Sequence, residues 1–299
     1  MTGEIVVISG KGGTGKTTFA SSIFAALSDS VLADCDVDAP DLAILLDPDL
    51  VMQEPFLGAR KAWIDPALCR EGAACGGQKS CVTQCRFAAI GSELVVKRNC
   101  EGCGVCAHVC PVGAVTMKES FTGHLMVGST KYGPMVHGRL EPGEETSGKL
   151  VSAVRHRARK EAIGSGMKFI ITDGSPGIGC PVISSLSGAH HAVIVTEPSV
   201  SALRDMERLV DLVTSFRIPT TVIINKADIS QIMYSQVLEF CRNQEINVGM
   251  SLPYDERIVQ AVTRKTIPFI ASPDLFRDNG FLPFLENLRH SVEDRVAVS

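Results

Sequence analysis

The 299-residue chain has no apolar run approaching the roughly 20 residues that cross a bilayer. That excludes a membrane-spanning helix. It also lacks an excess of one charge, since 29 Lys+Arg stand against 33 Asp+Glu for a formal net charge of −4. A general nucleic-acid binder needs a basic face to displace phosphate counterions, so nucleic acid is not an expected partner. No basic n-region or small-residue cleavage site precedes the apolar Glu4-Ile-Val-Val-Ile8. The C-terminal stretch 281–299 is not the basic amphipathic helix that cycles on and off membranes. The expectation is a cytoplasmic protein without a stable membrane anchor. At 45% hydrophobic and 21% charged residues the composition is globular, with room for one large α/β domain or two ordinary ones.

Cysteine is what the chain has in abundance. There are eleven, and eight of them fall between Cys69 and Cys110, leaving only Cys35, Cys180 and Cys241 outside. A chain without an export signal sits where thiols stay reduced, so a disulfide framework is not expected. Cysteines clustered in this way point to metal or redox chemistry.

Along the chain, short apolar runs alternate with helical stretches. Glu4–Ile8, Ser30–Ala33, Phe169–Thr172, Ala192–Thr196 and Thr220–Ile224 read as strands. Thr17–Ser28 reads as a helix, and Ser201–Phe216 spaces Leu203, Met206, Leu209, Val210 and Val213 as an amphipathic helix would. This rhythm predicts an α/β fold, a mostly parallel sheet covered by helices on both faces. From about Trp63 to Lys118 the rhythm breaks into Cys- and Gly-rich sequence too long for an ordinary loop. We read it as an inserted domain, followed by a hairpin over residues 119–146 that returns to the sheet. Ser147–Ala162 then reads as a basic helix, with Lys149, Arg155, Arg157, Arg159 and Lys160 on a solvated face.

Gly10-Lys-Gly-Gly-Thr-Gly-Lys-Thr17, followed by Thr18, satisfies G-x-x-x-x-G-K-[ST] between a strand and a helix. Gly10, Gly12, Gly13, Thr14 and Gly15 would turn backbone N–H groups toward phosphate oxygens. Lys16 would reach the β- and γ-phosphates, and Thr17 would offer its hydroxyl to Mg²⁺. The string, with its second lysine at Lys11, resembles the deviant Walker A of the MinD/Mrp/nitrogenase-iron-protein class. The resemblance implies an ATP-dependent homodimer in which Lys11 reaches the partner's phosphates. It implies that Asp36, in Asp34-Cys-Asp36-Val-Asp38, orients the attacking water, and that Asp173, in Asp173-Gly-Ser-Pro-Gly177, holds a Mg²⁺-bound water. Lys11, Lys16 and Asp36 are thus the candidate catalytic residues. Asn225-Lys226-Ala-Asp228 reads literally as the N-K-x-D by which GTPases select guanine, whereas in this class the Asn touches adenine. ATP is favoured and GTP stays open. Pro253 resembles the loop that closes the base pocket.

Cys100-x₂-Cys103-x₂-Cys106-x₃-Cys110-Pro111 is the complete bacterial ferredoxin run. A stretched copy precedes it as Cys69-x₅-Cys75-x₅-Cys81-x₃-Cys85, whose end repeats at an offset of 25, Cys81–Ile90 against Cys106–Val115. In two-cluster ferredoxins the fourth cysteine of each run ligates the other cluster. One [4Fe–4S] cube would then take Cys69, Cys75, Cys81 and Cys110, and the other Cys85, Cys100, Cys103 and Cys106. One cluster with a zinc, or an empty stretched site, is the alternative. The whole resembles MinD-superfamily ATPases carrying an inserted two-cluster ferredoxin-like domain of small α+β type. Residues 1–60 and 119–299 would form the ATPase and residues 61–118 the insert.

Cys180 lies seven residues after Asp173, where the nitrogenase iron protein holds a cluster shared across its dimer. That arrangement needs two cysteines per subunit. No second one is evident, so a buried thiol is expected. Cys35 and Cys241 read as packing residues, and His190 and His191 as packed or surface residues, not ligands. Three functions compete: an ATP-switched electron carrier acting on a redox partner, an ATP-dependent iron–sulfur carrier or scaffold, and a positioning ATPase with a structural insert. Eight interleaved ligands suit keeping clusters while passing electrons, which favours the first.

Overall fold

The computed structural model describes residues 2–144 and 147–298; residues 145 and 146, at the end of the expected hairpin segment, and Ser299, at the end of the C-terminal stretch, lie outside the described residues. The chain divides into two compact units, the first comprising Met1–Glu54, Leu125–Arg139 and Ser147–Ser299. Its strands are β1 (Gly3–Ser9), β2 (Ser30–Asp34), β3 (Asp49–Phe56), β6 (Gly123–Thr130), β7 (Gly133–Leu140), β8 (Phe169–Pro176), β9 (His191–Thr196), β10 (Thr220–Asn225) and β11 (Asn247–Leu252), β3 and β6 running a residue or two past the unit's edge and β7 one. The sheet order is β11-β10-β9-β1-β8-β2-β7-β6-β3. Every pairing from β11 through β7 is parallel.

The central strand shows why the apolar run folds this way. All of β1 is buried, and its side chains alternate between two cores. Ile5 and Val7 pack with Phe19, Ile23 and Phe24 of the helix Lys16–Ala26 and with Phe281, Phe284 and Leu288 of the helix Phe281–Val298. Val6 and Ile8 pack on the opposite face with Val182 and Leu186 of the helix Cys180–Leu186 and with Met206, Leu209 and Val213 of the helix Val200–Ser215. Each such fully buried side chain contributes about 1.5–3 kcal/mol. No helix among the described residues is long and apolar enough to cross a membrane.

The basic helix, Ser147–Ser165, corrects one expectation. Its arginines do not all lie on a solvated face. Arg155 is 4% exposed and meets Glu4 of β1 at 2.5 Å, and Arg159 meets the same carboxylate at 2.8 Å. Thr172 donates to Glu4 as well, at 3.1 Å. A buried carboxylate on the central strand has to be paired, and these two arginines do it.

The second unit comprises Pro55–His124 and Leu140–Thr146, wider than residues 61–118 on both sides. The reason is a stem the cysteine spacing does not encode. β4 (Ala59–Ile64) and β5 (Val115–Ser120) pair antiparallel, from Ala59 opposite Ser120 to Ile64 opposite Val115. Three one-turn helices, Pro66–Cys69, Ser80–Thr83 and Val105–His108, lie between them in sequence. The small core is Ala62, Ile90, Cys106 and Val115. Ile90 and Val115 stand 25 positions apart, so the sequence repeat is also a packing repeat.

Candidate functional site

Strand β1 delivers the chain into the glycine-rich loop, where Gly13 and Gly15 adopt φ of 80° and 97°. A side chain is strained at such φ, and a Cβ on Gly15 would also run into the Asn225 amide. Lys16 opens the following helix, is 6% exposed, and lies 2.7 Å from Asp173 and 3.5 Å from Asp36. Burial works against its charge, but Asp173 and Asp36 outweigh that and hold its pKa above the ordinary lysine value. Thr17 donates to the other Asp173 oxygen at 2.8 Å. The candidate phosphate lysine, Mg²⁺ hydroxyl and metal-side aspartate are thus already in mutual contact. The Thr14 hydroxyl is buried without a partner, as a loop awaiting a polar ligand would leave it. This donor set fits a Mg²⁺–nucleotide. Thr18 stays in the first turn, its carbonyl accepting from Ser21 at 3.1 Å.

The loop after β10 closes on the same site. Asn225, 5% exposed, donates to the Thr14 carbonyl at 2.8 Å, and Lys226 donates to the Gly13 carbonyl at 3.0 Å. Asp228 accepts from the Tyr254 N–H at 2.6 Å, which draws the segment beginning at Pro253 alongside the 225–228 loop. Lys11 meets Glu197 at 2.7 Å and donates to Ser199 and Ser201 at 3.3 and 3.2 Å. Sequence reasoning passed over Glu197. Its signal was its place just past the carboxyl end of β9, the sheet edge where α/β folds hold ligands.

Asp34 has no role that the motif implies. It is fully buried; one carboxyl oxygen accepts the Asp36 N–H at 3.1 Å and the other has no partner. Burial, then the charge of Asp173 beside it on β8, pushes its pKa well above the usual carboxylate range, with Lys16 opposing. Because the folded value is raised, the stability Asp34 contributes is fully present below the unfolded-state pKa. It is lost as pH rises through the folded value. Asp34→Asn, neutral and isosteric, should therefore raise the melting temperature of the nucleotide-free protein at neutral pH and flatten its decline from acid. An unchanged slope in a pH series of melting curves would count against this.

In the second unit two small cavities share the cysteines out. One is lined by Cys69, Cys75, Cys81 and Cys110. The other is lined by Cys85, Cys100, Cys103 and Cys106. The two halves echo each other. The Ala89 N–H donates to Cys85 Sγ and the Ala114 N–H to Cys110 Sγ, both at 3.3 Å. Burial chiefly raises the Cys81 and Cys106 thiols. Burial raises Cys110 too, but the N–H groups of Val112, Ala114, Val115 and Gly113 outweigh it and hold that thiol below its ordinary value. Gly102 has φ of 66°, and a Cβ there would strike the Arg60 carbonyl. Among the described residues no three His, Cys, Asp or Glu side chains gather as the ligands of one metal ion do. The sulfurs instead line the cavity walls, and four thiolates around a cavity fit the donor set of a four-iron cube.

Cys180 is exposed, not buried, because it opens the helix Cys180–Leu186 directly after the exposed Ile178 and Gly179. Cys35 and Cys241 are buried, 0% and 1% exposed. His191 is buried between Ser291 and Thr221, each at 2.9 Å, and His190 Nδ1 accepts the Glu4 N–H.

Residues 5–269 match the CobQ/CobB/MinD/ParA nucleotide-binding domain. The uncharacterized protein MJ0578 of Methanocaldococcus jannaschii is 30% identical over 268 residues, 88% of this chain and 89% of its own length. The septum site-determining protein MinD of Pyrococcus horikoshii, solved with Mg-ADP, shares the fold at 16% identity and a TM-score of 0.57, over 95% and 93% of the two chains. The ATP complex of Cyanothece McdA(D38A) does so at 16% identity and 0.57, over 96% of each.

Proposed function

The chain belongs to the CobQ/CobB/MinD/ParA nucleotide-binding family, and from that premise we propose that it is a dimeric ATP-hydrolysing switch whose cysteine-rich unit carries two [4Fe–4S] clusters and passes electrons to a partner protein. The observation that carries the reading is the division of eight cysteines into two sets of four, one to a cavity, with Cys85 and Cys110 exchanged between the two runs. A structural zinc needs four ligands converging about 2.3 Å from one point; a cube takes them spread around it. When bound, each cube supplies one-electron redox chemistry. Of the eight sulfur-bearing residues Cys103 alone is exposed, which suits retaining a cluster over surrendering one.

The nucleotide unit supplies the switch. Lys16, Thr17 and Asp173 would hold the phosphates and Mg²⁺. Asp36, 3.5 Å from Lys16, would orient water, and Lys11 would serve the second subunit. Asn225, Lys226 and Pro253 would frame the base. In sequence the second unit is followed by the helix Ser147–Ser165, and that helix packs on the Cys180–Leu186 helix that follows the Asp173 strand. A Cβ on Gly148 would stand 3.3 Å from both the Cys180 Cβ and the Ser184 hydroxyl, and Arg155 donates to the Ser184 carbonyl. Movement of the Asp173 segment on ATP binding would thus reach the segment that re-enters from the cysteine unit.

Anaerobically purified protein should contain about eight iron and eight sulfide per chain. Its reduction potential should differ between nucleotide-free, ADP and non-hydrolysable-ATP states, with the iron retained. Iron released on hydrolysis would favour cluster delivery, and identical potentials would leave the clusters structural. A second experiment locks the relay. Gly148→Cys sets its Cβ 3.3 Å from the Cys180 Cβ, so a small outward shift reaches the roughly 3.5–4.5 Å separation of a disulfide. Turnover should fall several-fold when that bond forms and recover on reduction.

A further inference from the structure

We infer that Glu197 is the positioning residue of Lys11, an internal counter-ion that holds this lysine against its own subunit until a second copy of the chain presents its phosphates. The inference rests on the dimeric ATPase reading and adds to it the group against which dimerisation must compete. Glu197 lies past the end of β9, its side chain 12% exposed, and its two oxygens are divided between two lysines. Lys11 takes one at 2.7 Å and Lys226 the other at 2.8 Å.

The second lysine makes the arrangement a brace as well as a pair. Lys226 also donates to the Gly13 carbonyl, and its neighbour Asn225 donates to that of Thr14, so the 225–226 loop grips the phosphate loop from behind. Glu197 ties that grip to Lys11 in front. Ser199 and Ser201 complete the seat, both accepting from the Lys11 ammonium, while Ser199 also caps the helix Val200–Ser215 through the Ala202 N–H. The seat for Lys11 is therefore built on the turn between β9 and that helix. Burial alone would raise the Glu197 pKa, but its hydrogen bonds and charge contacts with the two lysines outweigh that and hold it low, so the counter-ion stays charged at neutral pH.

A phosphate oxygen of the facing subunit competes with Glu197 for the same ammonium. ADP bound within one subunit does not need Lys11, because the loop N–H groups and Lys16 serve its phosphates. The pair therefore opposes ATP-driven pairing of subunits and leaves ADP binding alone, which sharpens the difference between the two nucleotide states.

The test is Glu197→Gln in the 299-residue chain, followed by sedimentation against increasing non-hydrolysable ATP and by ADP titration. The concentration of analogue that half-assembles the dimer should fall about two- to fivefold, as loss of a partly exposed ion pair allows. ADP affinity should stay within about twofold, which also shows that the variant is folded. In a Lys11→Met background the same substitution should shift nothing, because the two residues act through one contact. An unmoved midpoint, an equal change in ADP affinity, or a shift that persists without Lys11 would each overturn the assignment and reduce Glu197 to a brace for Lys226. Failure of the parent protein to dimerise with the analogue would instead strike the dimeric reading itself.

Discussion

Lys16→Ala should bind neither ADP nor ATP measurably, and it should melt well below the parent protein even with no nucleotide present. The two losses have one origin. Lys16 is the cation of a buried cluster holding Asp173 at 2.7 Å and Asp36 at 3.5 Å, with fully buried Asp34 adding to the same negative field. Removing one partner of a buried ion pair costs about 3–5 kcal/mol, because the charge left behind has no compensation. For a chain of this size that corresponds to a fall in melting temperature on the order of 10 °C. Part of the cost is recovered when the stranded carboxylates take up protons, so the deficit should be largest at alkaline pH and smaller in acid. On the ligand side, hydrogen bonds from a charged donor contribute about 1.5–3 kcal/mol each. Losing those to two phosphates lowers affinity about a hundredfold or more. Thermal melting with and without ADP separates the effects: the baseline drops, and the stabilisation that ADP confers on the parent disappears. Lys11→Ala should keep that stabilisation, since Lys11 sits with Glu197, away from Asp173. A normal ADP response in Lys16→Ala would remove Lys16 from the phosphate site.

How far these sites could be read in the sequence depends on how local their determinants are. The phosphate loop is a contiguous string, and its strand and helix flank it directly, so β1, the loop and the Lys16–Ala26 helix were legible together. The repeat at offset 25 is equally local, pairing Cys81 and Cys85 with Cys106 and Cys110 and Ile90 with Val115 of the small core. Glu197 was not, because nothing within its own segment marks it; its meaning comes from Lys11 and Lys226, each far away in sequence. Asp34 looked like one of several strand-end acids, and only the register of β2 on β8 sets it beside Asp173 in the interior. The buried role of Arg155 was hidden for the same reason, since its partner Glu4 is 151 residues away. Cys180 is exposed where a buried thiol is expected, because its surroundings depend on where a helix begins and not on its neighbours' hydrophobicity. The edges of the second unit were missed because β4 contains no cysteine and declares itself only by pairing with β5.

Cys110→Ala should destroy the cluster of the run it does not belong to. By position Cys110 completes Cys100-Cys103-Cys106, yet its side chain lines the cavity of Cys69, Cys75 and Cys81. Cys85, the last of the stretched run, lines the other cavity with Cys100, Cys103 and Cys106. The exchange follows from the backbone. Ala114 and Ala89, four residues after Cys110 and Cys85, donate their N–H groups back to those sulfurs and fix where each one points. In the reduced protein, Cys110→Ala and Cys81→Ala should therefore leave the same electron-paramagnetic signal, with about half the iron remaining. Cys85→Ala and Cys106→Ala should share the complementary signal. If Cys110→Ala instead matched Cys106→Ala in signal and iron content, each run would serve its own cluster and the cavity assignment would fall. Zinc remaining at the stretched site after chelation, with only about four irons in the parent protein, would limit the redox function to the run from Cys100 to Cys106.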